Sequence, residues 1–155
     1  MKIRLFTIGR MKARGFRLAQ ADYLQRLQHY IHIDLLELKD VPTRNRTEAQ
    51  IQDDETRTVL RVLPNDAFLV VLDRRGKLLS SEDLASFLNK LMGDRRKTVV
   101  FAIGGPHGFS EALRQRADLV LSLSAMTFPH ELARVMLLEQ LYRAFTILKG
   151  EKYHK

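Results

Sequence analysis

An α/β domain with a mainly parallel sheet flanked by helices is the fold this sequence predicts, on three observations. Short apolar runs alternate along the chain with helix-length amphipathic segments. Three of those runs, residues 67–72, 98–103 and 119–123, are apolar nearly throughout, as strands buried on both faces are. The length of 155 residues fits one domain with a real core, expected to span 1–155.

The elements follow in order. Residues 2–8 alternate and form a first strand, stopped by Gly9. Phe16, Tyr23, Leu24, Leu27 and Tyr30 recur at helical spacing and predict a helix over residues 15–30. Residues 33–38 form a second strand, with Pro42 marking the turn after it. Residues 48–63 are polar and weakly periodic, through Ile51, Val59, Val62 and Leu63, and predict an exposed helix. The run 67–72 is the third strand. Ser80 or Ser81 caps a helix through Leu84, Phe87, Leu88 and Leu91. After the fourth strand a short helix starts from Ser110, and the fifth strand leads to a long helix from about Pro129 to Lys149.

That last helix is apolar on two sides. Leu137, Leu138, Leu141, Ala144, Phe145 and Leu148 form a wide face, and Leu132, Val135 and Met136 a second. Such a helix must be covered on both sides. The sheet can cover one, so a second subunit is expected on the other, giving a homodimer. Glu139 and Arg143 interrupt the second face at i, i+4 with the glutamate first, which reads as an ion pair ahead of a direct chemical role.

Composition narrows the class. Hydrophobic residues make up 45% and charged residues 28%, the balance of a folded soluble globule. No apolar run could cross a bilayer, no signal peptide is visible, and cysteine is absent, which excludes disulfides and thiolate chemistry. A cytoplasmic protein is the simplest reading. The net charge is +8 and uneven: Lys2, Arg4, Arg10, Lys12, Arg14 and Arg17 all precede the first acid, Asp22. Further basic clusters are Arg74-Arg75-Gly76-Lys77, Arg95-Arg96-Lys97 and the tail Lys149, Lys152, Lys155. Polyanions are the partners such an excess attracts, nucleic acid first. A merely soluble basic surface is the alternative.

In parallel sheets ligands bind beyond the carboxyl ends of the strands, which directs attention to the loops after Leu72, Ile103 and Leu123. The loop Ile103-Gly104-Gly105-Pro106-His107-Gly108 lets a ligand approach the main chain closely. It matches neither a P-loop nor the dinucleotide fingerprint, and taken alone it reads more readily as structural than as ligand-binding. The loop Ser122-Leu123-Ser124-Ala125-Met126-Thr127-Phe128-Pro129-His130 sets small polar residues beside an apolar Met–Phe pair. It could offer backbone groups to a planar ring while the side chains close over it. Pro129 suits a first helical turn and Thr127 could cap it; a plain strand–helix connection is the competing reading. The histidines His29, His32, His107, His130 and His154 lack metal-ligand spacing, so no metal is expected.

Four segments in order then become recognisable: Ile103-Gly104-Gly105-Pro106-x-Gly108; Leu121-Ser122-Leu123-Ser124-x-Met126-Thr127-Phe128-Pro129-His130; Glu139-Gln140-x-Tyr142-Arg143-Ala144; and Tyr153-His154-Lys155. Together with the start Ile8-Gly9-x-x-Lys12, they resemble the ribosomal RNA large-subunit methyltransferase H family of the SPOUT methyltransferases, over essentially the whole chain. The resemblance implies a SPOUT-type fold with a C-terminal trefoil knot, which general rules of chain topology would not propose. It also implies methylation of a pseudouridine at N3 in large-subunit (23S) ribosomal RNA, on the assembled ribosome, with S-adenosylmethionine as cofactor and an active site built from two subunits.

Carried over by position, the cofactor would contact Leu72, Gly105 and residues Ser124, Ala125, Met126, Thr127, Phe128 and Pro129. His154 is the first choice to take the N3 proton and His130 the second; RNA positioning by the tail is the rival reading. Arg143 and Glu139 would orient the base or the tail, and Tyr153 would stack on the base. A non-catalytic RNA-binding protein that has kept the fold is the alternative from another class.

Overall fold

The computed structural model describes residues 1–94 and 97–154. Arg95 and Arg96 of the third basic cluster and Lys155 of the tail lie outside the described residues. Ten elements follow one another: β1 (Lys2–Ile8), α1 (Arg14–Leu27), β2 (His32–Leu38), α2 (Glu48–Val62), β3 (Phe68–Leu78), α3 (Ser81–Gly93), β4 (Thr98–Ile103), α4 (Glu111–Arg116), β5 (Leu119–Ser122) and α5 (His130–Leu148). The strands form one five-stranded sheet in the order β2-β1-β4-β3-β5, with every pairing parallel. The predicted α/β class with a parallel sheet is therefore what the chain adopts.

Alternation along the central strands explains why they are apolar throughout. Val99, Phe101 and Ile103 of β4 point to one face while Val100 and Ala102 point to the other. Val70 of β3 divides in the same way from Leu69 and Val71. The first face is covered by α1, α3 and α5, through Leu27, Leu84, Leu88, Leu91 and the row Leu137, Leu138, Leu141, Ala144 and Phe145. The second is covered by α2 and α4, through Val59 and Leu113. A strand sandwiched between helical layers needs side chains that avoid water on both sides, which is what its sequence supplies.

Local chemistry sets the helix ends. Ser80, rather than Ser81, caps α3: its hydroxyl accepts from Asp83 N–H while Asp83 reaches back to Ser80 N–H. Thr47 and Gln50 form the same reciprocal box at α2. Thr127 does not cap α5. Pro129 occupies that position without a side-chain hydrogen bond, because the chain turns into the helix two residues later than Thr127 would need.

Other expectations need correction. The helix predicted over 15–30 ends at Leu27; Tyr30 keeps the apolar spacing because its ring packs against Tyr142 and Phe145 from a turn. The helix α2 is not simply exposed, since Ile51, Glu55, Thr56 and Val59 are buried. Strand β3 does not stop at Leu72 but continues to Leu78, with an irregularity between Leu72 and Lys77 where both pair with Leu121. The charged Asp73, Arg74 and Arg75 disguise that extension as a loop. Gly76 makes it possible: a Cβ there would lie 2.6 Å from Val120 O, and backbone cannot yield as a flexible side chain would. The strand β5 lies at the sheet edge, and its Leu119 and Val120 are only partly buried.

Candidate functional site

The carboxyl ends of β4, β3 and β5, adjacent in the sheet, open into a cleft of about 440 Å³, within the range of small-molecule sites. Most of its lining comes from three segments: Leu72 to Arg75 of the β3 extension, residues 103–108 of the glycine loop, and Leu123, Ser124, Met126, Thr127 and Phe128 of the loop before α5. Glu48 and Gln52 of α2 and His130 at the start of α5 also line it. Of the eight residues predicted for cofactor contact, Leu72, Gly105, Ser124, Met126, Thr127 and Phe128 line the cleft. Ala125 and Pro129 belong to the same loop but do not line it. Met126 is 72% exposed, so it stands as a wall open to the cleft rather than as core.

Internal hydrogen bonds hold this loop. Ser124 Oγ accepts from Met126 N–H at 3.0 Å, and Ser122 Oγ lies 2.8 Å from Ser124 O and 3.1 Å from Arg74 O. The single hydroxyl proton of Ser122 serves one carbonyl at a time, and it ties the β3 extension to the loop. Beneath the extension, Asp73 bonds Arg75 and Arg114. Burial pushes its carboxyl up, but these two cations outweigh burial and hold it below the usual carboxylate range.

The glycine loop is clamped from one helix. Glu55 of α2, 3% exposed, accepts from Gly105 N–H at 3.0 Å; Gln52 donates to His107 O at 2.8 Å; Thr56 Oγ1 accepts from Ser110 N–H at 3.1 Å. A Cβ at Gly105 would meet Glu55 Oε1 at 2.5 Å, so any other residue there must displace the carboxylate that holds the loop. Gly105 O in turn accepts from Gly108 N–H at 3.0 Å. Both backbone groups of Gly105 are thus engaged within the protein.

Sequence reading missed Glu55, although a signal existed: it falls at i+4 from Ile51 and i−4 from Val59, on the apolar stripe of α2. Burial raises its carboxyl pKa, and the bond from Gly105 only partly offsets this. A raised folded-state value means that ionising Glu55 costs stability as pH climbs through it. Glu55→Gln keeps an acceptor for Gly105 and removes that cost. It is expected to melt above the wild type at pH 8 and alongside it near pH 4, whereas Glu55→Ala melts lower at both, as read by calorimetric Tm.

His130 is half-buried at the cleft, where desolvation and then the nearby Arg134 charge lower its pKa. The neutral imidazole is therefore the resident form at neutral pH. Its contribution to stability is present above the ordinary value of 6.5 and is lost as pH falls through the lowered folded value. Thermal midpoints of the wild type should fall more steeply between about pH 6.5 and 5 than those of His130→Asn.

The remaining predicted residues form a second cluster, which does not line this cleft within one chain. Arg143 Nε and Nη2 bond Glu139 Oε1 at 3.0 and 2.5 Å, Tyr153 OH donates to the same oxygen at 3.1 Å, and the Arg143 guanidinium lies 4.7 Å from the Tyr153 ring centre. The ion-pair reading of Glu139 and Arg143 holds. Burial, then hydrogen bonding with Tyr23 and Glu139, raises the Tyr153 phenol, so it stays protonated. His154 Nε2 lies 2.8 Å from Glu82 Oε1, and its buried Nδ1 has no hydrogen-bond partner. Expected near the cleft, His154 instead packs on α3. His29 and His32 sit at the surface, His32 beside Asp34. Among the described residues no group of three or more acids or histidines could hold a metal ion. Among them, too, no helix is long and apolar enough to cross a membrane.

A family model described as a predicted SPOUT methyltransferase matches residues 1–154. The chain belongs to the SPOUT methyltransferase family. Full-length relatives agree with that membership. Proteins named ribosomal RNA large subunit methyltransferase H from Coprothermobacter proteolyticus and Bacillus pumilus are 44% and 42% identical, each alignment covering 100% of both chains. One of the same name from Christiangramia forsetii is 43% identical over 99% of both chains. A methyl donor is the ligand this family implies for the cleft. The residues present fit one: the apolar side chains of Leu72, Met126 and Phe128 line the cleft beside the small polar Ser124 and Thr127 and the glycine loop.

Proposed function

We propose that this protein transfers a methyl group from S-adenosylmethionine to N3 of a pseudouridine in large-subunit (23S) ribosomal RNA, on the assembled ribosome in the cytoplasm. The observation that carries the reading is the cleft itself, in which the glycine loop and the Ser124–Phe128 loop of a SPOUT family chain meet around one cavity. The names of the full-length relatives support the RNA class. When bound, the cofactor supplies an electrophilic methyl group. Leu72, Met126 and Phe128 would enclose it, with Ser124, Thr127 and the glycine loop lining the rest of the cleft.

A homodimer completes the site. Leu132, Val135 and Met136 on the second face of α5 remain partly exposed in a single chain, while Leu137, Leu138, Leu141, Ala144 and Phe145 of the first face are buried. Placing that surface against a second copy brings the tail of one protomer to the cleft of the other. There Tyr153 stacks on the base, Arg143 and Glu139 orient it, and His154 takes the N3 proton. In a single chain His154 Nε2 faces Glu82 and Nδ1 is buried without a partner, so the ring must turn away from α3 to reach the base. His130, whose pKa is lowered by burial, is the second candidate. We place a C-terminal knot at the β3 extension, in support of which Gly76 lies against β5 and Ser81 Oγ bonds Gln140 of α5 at 2.6 Å.

The test is nucleotide mapping. Ribosomes from cells lacking this gene, incubated with the purified protein and labelled S-adenosylmethionine, should gain one methyl group on one pseudouridine of the large-subunit RNA. Incorporation nowhere, or into protein, would overturn the assignment.

A further inference from the structure

We infer that the exposed basic segment from Arg10 to Arg17, at the end of β1 and the start of α1, is a docking surface for RNA phosphates beside the cleft. This rests on the reading of the chain as an RNA-modifying protein.

The neighbouring acids hold the backbone of this segment. Glu131 of α5 accepts from Lys12 N–H at 2.6 Å and from Ala13 N–H at 3.1 Å, and Glu37 of β2 accepts from Met11 N–H at 3.1 Å. On the other side, buried Arg134 donates to Gly9 O at 2.8 Å and to Ile8 O. Acids are present, but they bind the segment's backbone and leave its cations alone. Arg10, Lys12, Arg14 and Arg17 are exposed, and among the described residues none of them forms an ion pair.

The arrangement is also poor for the protein by itself. The helix α1 has no acid in its first turn and no side-chain cap, yet Arg14 opens it. Cations at the positive pole of a helix oppose its stability, and an external anion relieves both. Position gives the surface its meaning. Glu131 follows His130, which lines the cleft, and the charge of Lys12 reaches His130. A phosphate backbone held on this segment would run past the mouth of the cleft. Its register would be fixed by a strap bonded at Met11, Lys12 and Ala13, which suits positioning rather than sequence readout.

Two charge-matched variants test this. One carries Arg10→Gln, Lys12→Gln, Arg14→Gln and Arg17→Gln. The other carries Lys2→Gln, Arg61→Gln, Lys90→Gln and Arg116→Gln, all exposed and at the amino ends of strands or in the last turns of the helices that precede them. Binding to purified large ribosomal subunits is measured without cofactor from about 50 to 200 mM salt, where phosphate contacts dominate. The first variant should lose at least about tenfold in affinity and about two to three units of the log–log salt slope. The second should keep most of both. Binding of S-adenosylmethionine, measured separately, should be the same in both as in the wild type, which shows that the variants fold. It also separates failure of the surface from failure of the methyltransferase reading. Equal losses in the two variants, or none in the first, would overturn the assignment.

Discussion

Arg134→Met is expected to destabilise the fold by about 3 kcal/mol or more, a large share of the total stability of a domain this size. Arg134 is 0% exposed. Its guanidinium donates to Ile8 O and Gly9 O and stands 3.5 Å from Glu37. Methionine fills most of the same volume, so the loss is not a cavity effect. It is the desolvation of two carbonyls left without a donor, each costing about 1–3 kcal/mol, and of a carboxylate left without its cation. Arg134→Lys retains charge but not the fork that reaches two carbonyls at once, and it should fall between the two. Urea unfolding monitored by circular dichroism measures all three. A loss below about 1 kcal/mol for Arg134→Met would show that the bonds to β1 contribute little.

Complementation between two inactive variants is the second large effect. Gly105→Val should distort the cleft, because a Cβ there would meet Glu55 Oε1 at 2.5 Å and displace the carboxylate that holds the glycine loop. His154→Ala should remove the proposed acceptor, with transfer falling about a hundredfold or more. If the tail of one protomer serves the cleft of the other, a mixed dimer carries one intact site, made of the cleft from the His154→Ala chain and the tail from the Gly105→Val chain. Unfolding, mixing and refolding the two together should then restore roughly a quarter of wild-type activity: about half the dimers are mixed, each with one working site of two. A mixture as inactive as its components would mean that each chain uses its own tail.

Much of the fold and of the cleft is legible in the order of residues alone, and what is not has physical causes. Strands β3 and β4 announce themselves because a strand between two helical layers can carry little but apolar side chains. The wide face of α5 does so because 3.6-residue periodicity survives in a helix packed on one sheet face. Six of the eight residues expected around a cofactor line the cleft, because both loops follow buried strands and carry residues unusual for plain connections. The misses at Glu55 and Arg134 share one cause: a charged side chain inside an apolar stripe. Glu55 sits between Ile51 and Val59, and Arg134 lies one turn before Leu137 and Leu138. Pattern reading assigns such residues to the surface, and only tertiary structure supplies the backbone groups that make their burial tolerable. The β3 extension is hidden in the same way, by Asp73, Arg74 and Arg75, whose partners lie far along the chain or in its own turn. The distance between the Tyr153–His154 tail and the cleft cannot be read at all, because it depends on packing between elements and on a second copy.

The central claim is that the loops beyond β3, β4 and β5 form one methyl-donor cleft. Titration calorimetry of S-adenosylmethionine into the purified wild type, Gly105→Val and His154→Ala proteins tests it most directly. Saturable binding to the wild type and His154→Ala, with loss in Gly105→Val while its melting transition stays cooperative, is the predicted result. Absence of binding to the wild type, or equal binding to Gly105→Val, would contradict it.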